Sequence, residues 1–292
     1  MKSLHLTGTD YDIICSAVLF NTPHEELEIT IKQFLKISES TGLKTHLILI
    51  DNSPASVYPE STAHPSVSYF FSGKNLGFGK AHNIALRASQ NRTKYNLVMN
   101  TDITYTPDVV LQLKSILDAD PTTGLAAPKT IYPDGRLQHV CRLLPSPTNV
   151  FLRRFFPHST ITERSDSDYE LRWWDHESLA NIPFFQGSFL LIRTSLCGAI
   201  GGFDERFFLY AEDIDLCRRI HRLSKTMYVP SATIVHKYRR MSSHSMRATI
   251  YSIRSHTQYF NKWGWIFDRS RAEINSRTIK TLKSQQRTAR SE

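Results

Sequence analysis

Short apolar segments alternate with longer segments of helical periodicity along the first 120 residues of this chain. Segments 15–20, 45–50, 67–72 and 95–100 are short, strongly apolar and bounded by turn residues, which is typical of buried strands. Segments with helical spacing lie between and after them, including one that begins at Pro107. This alternation predicts an α/β fold, in which a mostly parallel sheet carries helices on both faces.

The second half of the chain is less regular. Segments 189–193 and 226–236 are predicted strands, and they flank a predicted helix that begins near Ala211. Residues 142–159 and the acidic segment that follows them are interpreted as a long loop or mobile excursion. The last twenty residues are polar and basic, so we expect frayed helix or disorder there.

Positive charge is concentrated at the C-terminal end. From His236 onward there are 13 Lys and Arg against 3 Asp and Glu, whereas the preceding 235 residues carry 23 basic and 24 acidic groups. This asymmetry predicts an anionic partner, either nucleic acid or the inner leaflet of a membrane, although a solubilising tail would have the same composition. The sequence has no apolar run of membrane-spanning length and no signal-peptide pattern, so we expect a cytoplasmic protein.

Polar residues follow the first two predicted strands, at the sheet edge where ligands of such folds bind. Phe20 and Asn21 end the first strand, and Asp51 and Asn52 end the second. A carboxylate at this position can accept a hydrogen bond from the N3–H of uracil or thymine, and a neighbouring aromatic ring can stack on the base. The same D-N-S-P sequence is also a favourable turn, so both interpretations stand.

A glycine-rich segment, 72–83, leads into a predicted helix and contains two lysines. Backbone N–H groups at the start of a helix attract phosphate. The segment fits neither the Walker pattern nor the dinucleotide-binding fingerprint, because the required lysine–hydroxyl pair and the third glycine are missing. By itself the segment therefore matches neither of these phosphate-binding motifs.

Asp102 follows the fourth predicted strand, where a carboxylate suits a hard divalent cation that holds a diphosphate. One carboxylate is a weak metal site, and His236 at the end of the last predicted strand is the candidate second ligand. Histidine is a normal ligand of Mn²⁺. A single histidine can equally be structural, so the spacing leaves both possibilities open.

The stretch F-F-L-Y-A-E-D-I-D-L-C-R-R-I, residues 207–220, contains Glu212, Asp213 and Asp215 at the start of a predicted helix. The positive end of the helix dipole favours their ionised forms. An ionised carboxylate can act as a base toward a sugar hydroxyl, but acids are also routine in first turns. The local sequence alone does not choose between these roles.

Taken together and in this order, these motifs resemble those of family-two inverting glycosyltransferases, which have the GT-A fold. The resemblance covers about residues 13–240 and adds F-Q-G-S-F-L-L-I-R, G-G-F-D-E-R-F-F and V-H to the motifs above. It is closest to the rhamnosyltransferase-like branch that builds bacterial surface polysaccharides such as O-antigen, capsule or cell-wall polymers. The resemblance implies a catalytic domain over 1–240 and a basic, aromatic helical segment over 241–292.

The resemblance also implies a role for each motif. Asp213 would be the general base with Glu212 beside it, while Asp102 would bind a divalent cation, Mn²⁺ or Mg²⁺, whose shell His236 completes. The implied nucleotide-sugar-binding residues are Phe20, Asn21, Asp51, Asn52, Gly77, Asn83, Asn100 and Thr101. The implied acceptor-binding residues are Gln186, Gly187 and Ser188. Asn100 stands where many relatives carry the first Asp of D-x-D, which predicts a modest affinity for the metal.

The implied reaction moves a sugar, L-rhamnose from dTDP-rhamnose, onto a saccharide acceptor that is lipid-linked. A UDP-sugar donor (galactose, galactofuranose or an N-acetylhexosamine) stays open, because Asp51 would serve uracil and thymine alike. The C-terminal segment interleaves cations with Tyr, Phe and Trp, so we expect it to lie peripherally on the anionic inner membrane. A nucleic-acid-binding protein is the rival from another class, but it leaves the acids at the strand ends unexplained, and we expect no nucleic acid partner.

Overall fold

The computed structural model describes residue 6 and residues 10–56, 63–157, 159–237 and 246–289. The first half follows the predicted alternation of strands and helices. Its strands are β1 (Tyr11–Leu19), β2 (Thr45–Asp51), β3 (Val67–Phe71), β4 (Thr93–Met99) and β5 (Ile103–Thr104), and its helices are α1 (His24–Thr41), α2 (Phe78–Ala88) and α3 (Pro107–Ala119).

The second half contains more regular structure than the sequence pattern predicts. Its strands are β6 (Thr123–Ile131), β7 (Cys141–Arg142), β8 (Ala180–Asn181), β9 (Phe184–Phe185), β10 (Phe189–Arg193) and β11 (Lys225–His236). Its helices are α4 (Pro147–Phe155), α5 (Thr160–Tyr169), α6 (Thr194–Ile200), α7 (Glu212–His221), α8 (Met246–Trp263) and α9 (Arg269–Ala289).

A nine-stranded sheet runs through the molecule in the order β3-β2-β1-β4-β10-β6-β11-β5, with β8 paired to β11. Strands β1 to β4 are parallel to one another, and β6 is parallel to β11. Strand β10 is antiparallel to both β4 and β6, and the short strands β5 and β8 are antiparallel to β11. The predicted mostly parallel sheet is confirmed. The reversed strand β10 matters for function, because its N-terminal end, at Phe189, lies beside Met99 at the C-terminal end of β4.

Helices cover both faces of this sheet, as predicted. On one face, α1 and α3 contribute to a cluster with Ile13 and Cys15 of β1. On the other face, Ile14 packs with Ala81 and Ala85 of α2. Successive residues of a strand point to opposite faces, so a strand covered on both sides has to be apolar throughout. This is the physical reason for the continuous apolar runs in the sequence.

The interpretation of 142–159 as a loop is wrong, because α4 and α5 form a helical hairpin there. The hydroxyl of Ser146 accepts the N–H of Asn149 while the Asn149 side chain accepts the N–H of Ser146, which is a capping box. Pro147 occupies the first helical position, where a proline is favourable. The sequence S-P-T-N is a signal for the start of a helix, which the loop interpretation did not take into account.

The expectation of frayed helix or disorder in the last twenty residues is also wrong as far as the structure describes them. Helix α9 is continuous from Arg269 to Ala289, and residues 290–292 lie outside the described part. Ile274, Thr278 and Leu282 recur every four residues and are buried. One stripe of buried side chains is therefore enough to hold an otherwise polar helix against the rest of the molecule.

The C-terminal helices share a hydrophobic cluster with the catalytic half of the chain. Tyr259 and Phe260 of α8 and Leu282 of α9 belong to the same cluster as Phe207 and Ile214. The boundary near residue 240 stays a prediction, and residues 238–245 of the basic segment lie outside the described residues. Within the part of the chain that the structure describes, no helix has the length and apolar character needed to cross a membrane.

Candidate active site

Three segments that are distant in sequence meet at the C-terminal edge of the parallel strands. The N–H of Asn100, just after β4, donates to the carbonyl oxygen of Ser188, just before β10, over 2.9 Å. The N–H of Gly187 donates to Asp213 Oδ2 over 3.1 Å. The antiparallel β10 therefore brings the predicted metal segment, acceptor segment and base together at one edge.

A strained turn positions the acids at the start of α7. Tyr210 and Ala211 have φ values of 68° and 62°, in the left-handed region that non-glycine residues avoid at a cost of about 1–2 kcal/mol each. Asp213 is half-buried, with Oδ1 accepting the N–H of Ile214 over 2.8 Å. Burial raises the pKa of Asp213, against the lowering effect of its two backbone hydrogen bonds and of Arg142.

The two neighbouring acids have different surroundings. Glu212 is buried, and its Oε2 has no hydrogen-bond partner among the described residues. Burial and the charge of Asp213 raise the pKa of Glu212 well above its ordinary value. Asp215 is fully buried and accepts hydrogen bonds from Arg219 and Trp263, so it is a structural group. Of the three acids, Asp213 is the one with accessible surface.

Gly187 allows the acceptor segment to approach the base closely. A Cβ at this position would lie 3.0 Å from Asp213 Cβ, which is closer than most such contacts. The N–H of Ser188 donates to the carbonyl oxygen of Gln186 over 2.8 Å, which turns the backbone sharply and points the Gly187 N–H at the carboxylate. The structure thus places Gly187 against Asp213, with the predicted acceptor residues Gln186 and Ser188 on either side of Gly187 in the chain, and the contact of all three with an acceptor stays a prediction.

Asp102 and His236 lie together, as their positions after strands predict. Asp102 Oδ1 is 3.2 Å from His236 Nε2, and His236 pairs with Ile103 between β11 and β5. Gln138 fixes the histidine ring, since its Nε2 donates to the His236 carbonyl oxygen over 2.7 Å and its Oε1 faces His236 Nδ1 over 3.1 Å. An amide oxygen only accepts, so Nδ1 carries a proton and Nε2 is the nitrogen directed toward Asp102.

This arrangement fits a divalent cation. The Nε2 atom of an oriented histidine next to a carboxylate oxygen is a common pair of metal ligands, and a hydrogen bond to the opposite ring nitrogen is the usual outer support. The described residues hold no group of three or more His, Cys, Asp or Glu suited to a metal. A cation at this pair would therefore take its remaining ligands from phosphate oxygens or water.

Thr101 has another role in the structure. Its Oγ1 donates to Glu26 Oε1 over 2.6 Å, and its carbonyl oxygen accepts the hydroxyl of Thr30 over 3.0 Å. Both partners are on α1, so these contacts attach the start of α1 to the segment that carries Asp102. Its direct contact with the nucleotide sugar stays a prediction.

The predicted base-recognition residues form a second part of the same edge. Asp51 is fully buried, with Oδ1 accepting the N–H of Ser53 over 2.8 Å and Oδ2 accepting the hydroxyl of Tyr69. The N–H of Asn21 donates to Ser53 Oγ over 2.8 Å, which ties the end of β1 to the end of β2. Phe20 is 45% exposed, as expected of a ring that is available to stack. Each carboxylate oxygen has two acceptor lone pairs, so a nucleotide base could still donate a hydrogen bond to Asp51 beside these two contacts.

Gly77 and Asn83 belong to a structural framework around the edge. Asn52 Nδ2 donates to the Gly77 carbonyl oxygen over 3.0 Å, and Gly77 has a φ of 84°. The Asn83 side chain is buried and exchanges hydrogen bonds with the backbone of Phe203, and it also donates to Glu205. Asn83 therefore holds the 203–205 segment, and a place for it beside the diphosphate stays a prediction.

Sequence reasoning missed three residues that shape the site: Tyr69, Gln138 and Arg142. Tyr69 could have been predicted as a neighbour of Asp51, because it lies on β3, the strand that follows D-N-S-P in the sequence. Gln138 and His236 are 98 residues apart, and no local pattern joins them. Arg142 lies in the segment interpreted as a loop, and its charge acts on Asp213 from there.

Comparison with known proteins finds relatives among glycosyltransferases. The L-rhamnosyltransferase named N-acetylglucosaminyl-diphospho-decaprenol L-rhamnosyltransferase, of Mycobacterium tuberculosis, is 27% identical over 273 residues, which cover 88% of this chain and 84% of that protein. The low-salt glycan biosynthesis hexosyltransferase Agl10 of Haloferax volcanii is 23% identical over 220 residues, 73% of this chain and 66% of that protein.

Among solved structures, GalNAc-T7 in complex with UDP, GalNAc and Mn²⁺ aligns with a TM-score of 0.53 at 13% identity, over 81% of this chain and 44% of that one. This similarity concerns the fold. The family described as Glycosyl transferase family 2 matches residues 18–196. Because that match spans more than half of the sequence, the chain belongs to glycosyl transferase family 2 and is a glycosyltransferase.

Proposed function

We propose that this enzyme transfers L-rhamnose from dTDP-rhamnose to a lipid-linked saccharide, with inversion at the anomeric carbon. The observation that carries the proposal is the pairing of an accessible carboxylate, Asp213, with the Gly187 N–H at the sheet edge that also holds Asp102 and His236. The donor and acceptor follow from the similarity to the mycobacterial L-rhamnosyltransferase, whose name states a diphospho-decaprenol acceptor.

In the proposed reaction, Asp213 accepts the proton of an acceptor hydroxyl while that oxygen attacks the anomeric carbon. A new C–O bond forms on one face of the sugar as the bond to the diphosphate breaks on the other, and the nucleoside diphosphate leaves. The raised pKa of Asp213 suits this role, because burial makes the carboxylate a stronger base. Its hydrogen bonds with Gly187 and Ile214 hold it ionised and in place.

The metal pair would serve the leaving group. Asp102 and His236 would hold Mn²⁺ or Mg²⁺, which when bound would neutralise the developing charge on the diphosphate. Gln138 keeps the His236 ring oriented for this task. Asn100 brings no charge to the site, so we expect a modest metal affinity. The Mn²⁺ in the GalNAc-T7 structure is consistent with a divalent cation in this fold.

The decisive experiment measures thermal stabilisation by dTDP, UDP and GDP, each with and without Mn²⁺. A ligand that binds only the folded state raises the melting temperature by mass action. We expect the largest shift with dTDP and Mn²⁺ together. A shift confined to UDP would keep glycosyl transfer and exclude rhamnose as the donor sugar, and the absence of any shift would contradict the proposal.

The base is tested separately with Asp213→Asn. We expect the turnover number to fall by about 10²–10⁴-fold, which is the usual contribution of a general base, while the nucleotide-dependent thermal shift is retained. Asp134→Asn, at an exposed turn, is the matched control and should behave as the wild type. Turnover that survives in the Asp213 variant would assign the base to another group.

A lipid-linked acceptor requires the enzyme to work at a membrane. We include in the proposal that the basic, aromatic C-terminal segment contacts the anionic inner leaflet. Its described part contains six Lys and Arg on α9 and three on α8, against a single Glu on these two helices. Vesicle binding is the measurement that tests this contact.

A further inference from the structure

We infer that α4, α8 and the α8–α9 turn form one membrane-docking face, whose occupant is the surface of an anionic phospholipid bilayer. This inference rests on the proposed lipid-linked acceptor and extends membrane contact to α4, which lies more than ninety residues before the basic segment. The three elements are called the docking face below.

The docking face holds most of the exposed large hydrophobic side chains that the structure describes. The α4 helix and its cap expose Phe151, Phe155 and Phe156 by 53%, 52% and 52%. On α8 and the turn, the exposed fractions are Met246 79%, Ile250 58%, Ile253 48%, Trp265 45%, Ile266 78% and Phe267 94%. Such a concentration of apolar surface marks an interaction site.

Helix geometry arranges these side chains in stripes. Met246, Ile250 and Ile253 are spaced by four and three residues, so they share one face of α8. Phe151 and Phe155 are likewise four apart on α4, and their rings lie 4.9 Å from each other. In both helices, a stripe along one side stays uncovered by the other residues that the structure describes.

Contacts place the elements of the docking face on one part of the molecule. Arg271 at the start of α9 donates to the carbonyl oxygen of Pro145, two residues before α4, and to that of Trp265 in the turn, both over 3.4 Å. Val150 of α4 packs against the hydrophobic cluster that contains Tyr259 of α8. Arg271 thus links the segment before α4 to the α8–α9 turn, and α4 and α8 rest on the same cluster.

The charge of the docking face favours an anionic bilayer over another apolar partner. Neither α4, nor α8, nor residues 264–267 contain an Asp or a Glu. Arg247 and Arg254 are exposed and flank the α8 stripe on one side. The exposed acids of the neighbouring hairpin, Glu163 and Asp168, are on α5. Aromatic and aliphatic side chains beside arginines, without acids, are the composition that binds at the interface of anionic lipid.

The docking face is also linked to the catalytic base. Arg153 of α4 pairs with Glu170 over 2.8 Å, and Glu170 also pairs with Arg142 over 3.1 Å. The positive charge of Arg142 in turn lowers the pKa of Asp213. On the other side, the ring of Tyr251 of α8 lies 4.7 Å from that of Phe208, at an angle of 40°, and Phe208 precedes the strained turn of α7. A bilayer at the docking face would therefore present a lipid-linked saccharide next to the acceptor segment.

The test uses the full chain and vesicles of phosphatidylglycerol and phosphatidylethanolamine, with phosphatidylcholine vesicles for comparison. We expect sedimentation with the anionic vesicles only. Phe155→Ser in α4 and Phe267→Ser in the turn should each weaken binding about tenfold, because each removes a large apolar group from the interface. Leu111→Ser is the matched control, since Leu111 is 37% exposed on α3, which covers the other face of the sheet, and it should bind as the wild type does.

A second measurement reports on the docking face directly. Trp265 should become quenched by brominated lipid when anionic vesicles are added, and Trp265→Phe should remove that component of the quenching. The inference would be overturned if the wild-type protein did not bind anionic vesicles. It would also be overturned if the Phe155→Ser and Phe267→Ser variants bound them as tightly as the control. Retention on a nucleic acid oligomer without vesicle binding would overturn it as well. The nucleotide-dependent thermal shift of each variant separates this failure from failure of the proposed reaction and from misfolding.

Discussion

Three adjacent acids at the start of α7 have different roles because their surroundings differ. Asp213 keeps accessible surface and two backbone hydrogen bonds, Asp215 is enclosed by Arg219 and Trp263, and Glu212 is buried with one oxygen unsatisfied among the described residues. The sequence alone gives all three the same dipole environment. Burial and partners, which belong to the tertiary structure, distinguish Asp213, the proposed base, from its two neighbours.

Glu212 should make the protein less stable as pH rises. Its folded pKa lies well above the ordinary value of 4.5, so between these two values the unfolded state loses the proton while the folded state keeps it. The free energy of unfolding then falls with pH, by up to about 1.4 kcal/mol per unit. Glu212→Gln should reduce this slope in urea unfolding between pH 5 and 8. The same slope in both proteins would contradict the assignment, and Glu163→Gln on the surface of α5 is the control.

Gln138 should control metal affinity without touching the metal. Gln138→Met keeps the side-chain volume but releases His236 Nδ1 and the His236 carbonyl oxygen from their partners. Loss of such an outer contact typically weakens metal binding by about 10–100-fold. The Mn²⁺ concentration that half-saturates the nucleotide-dependent thermal shift should rise by that factor. Gln112→Met on α3 should leave it unchanged, and an unchanged value in the Gln138 variant would remove its assigned role.

At the scale of elements, the C-terminal helices hold the catalytic helix through a buried charged network. Arg218 of α7 is fully buried and forms two hydrogen bonds of 2.7 Å with Asp268, which precedes α9. Tyr259 of α8 accepts a further hydrogen bond from Arg218, and the ring of Trp263 lies 4.1 Å from its guanidinium group. Trp263 also donates to Asp215, three residues before Arg218. The position of α7, and so of Asp213, depends on these contacts.

Asp268→Ala should therefore be strongly destabilising, because it leaves the Arg218 charge buried without its partner. We expect a loss of about 3–5 kcal/mol in the free energy of unfolding, measured by urea titration. Lys32→Ala breaks an exposed pair with Glu28 and should produce no measurable change. The double variant Arg218→Met/Asp268→Leu should recover most of the loss, since it removes both charges. If the double variant were as unstable as Asp268→Ala, the loss of stability would come from packing and not from the unpaired charge.

At the scale of the whole molecule, the chain is organised around one sheet with two covered faces, and the C-terminal helices complete one of those covers. Tyr259, Phe260 and Leu282 lie in the same cluster as Phe207 and Ile214. The segment between β7 and β8 contributes Tyr169 and Trp174 to the same cluster. The elements that follow β6 thus pack around the cluster to which α7 belongs, and α7 carries the proposed base, Asp213.

Removal of the C-terminal helices should abolish cooperative folding. A variant ending at Lys237 loses Asp268 and leaves the charge of Arg218 facing an opened apolar cluster. We expect aggregation, or a compact state without a sharp unfolding transition, in circular dichroism and urea titration. Removing only residues 290–292 is the control and should change nothing. A cooperative transition in the shorter variant would show that the first 237 residues fold alone.

The sequence by itself determined the regular part of the fold. Continuous apolar runs had to be strands buried on both faces, and polar residues directly after them had to meet at one edge of a parallel sheet. The ends of the predicted strands agree with β1 to β4 and β10 to within four residues at either end. The order of the motifs was also sufficient to recognise the family, because this order can be read directly from the sequence.

Only the tertiary structure decided the rest, since those features depend on contacts between distant residues. The support of His236 by Gln138 spans 98 residues, and the Arg218–Asp268 pair spans 50. Helices α4 and α9 are polar or amphipathic with few buried positions, so their periodicity is weak, and caps and tertiary packing stabilise them instead. The separation of Asp213 from Glu212 likewise required burial, which no local pattern of residues encodes.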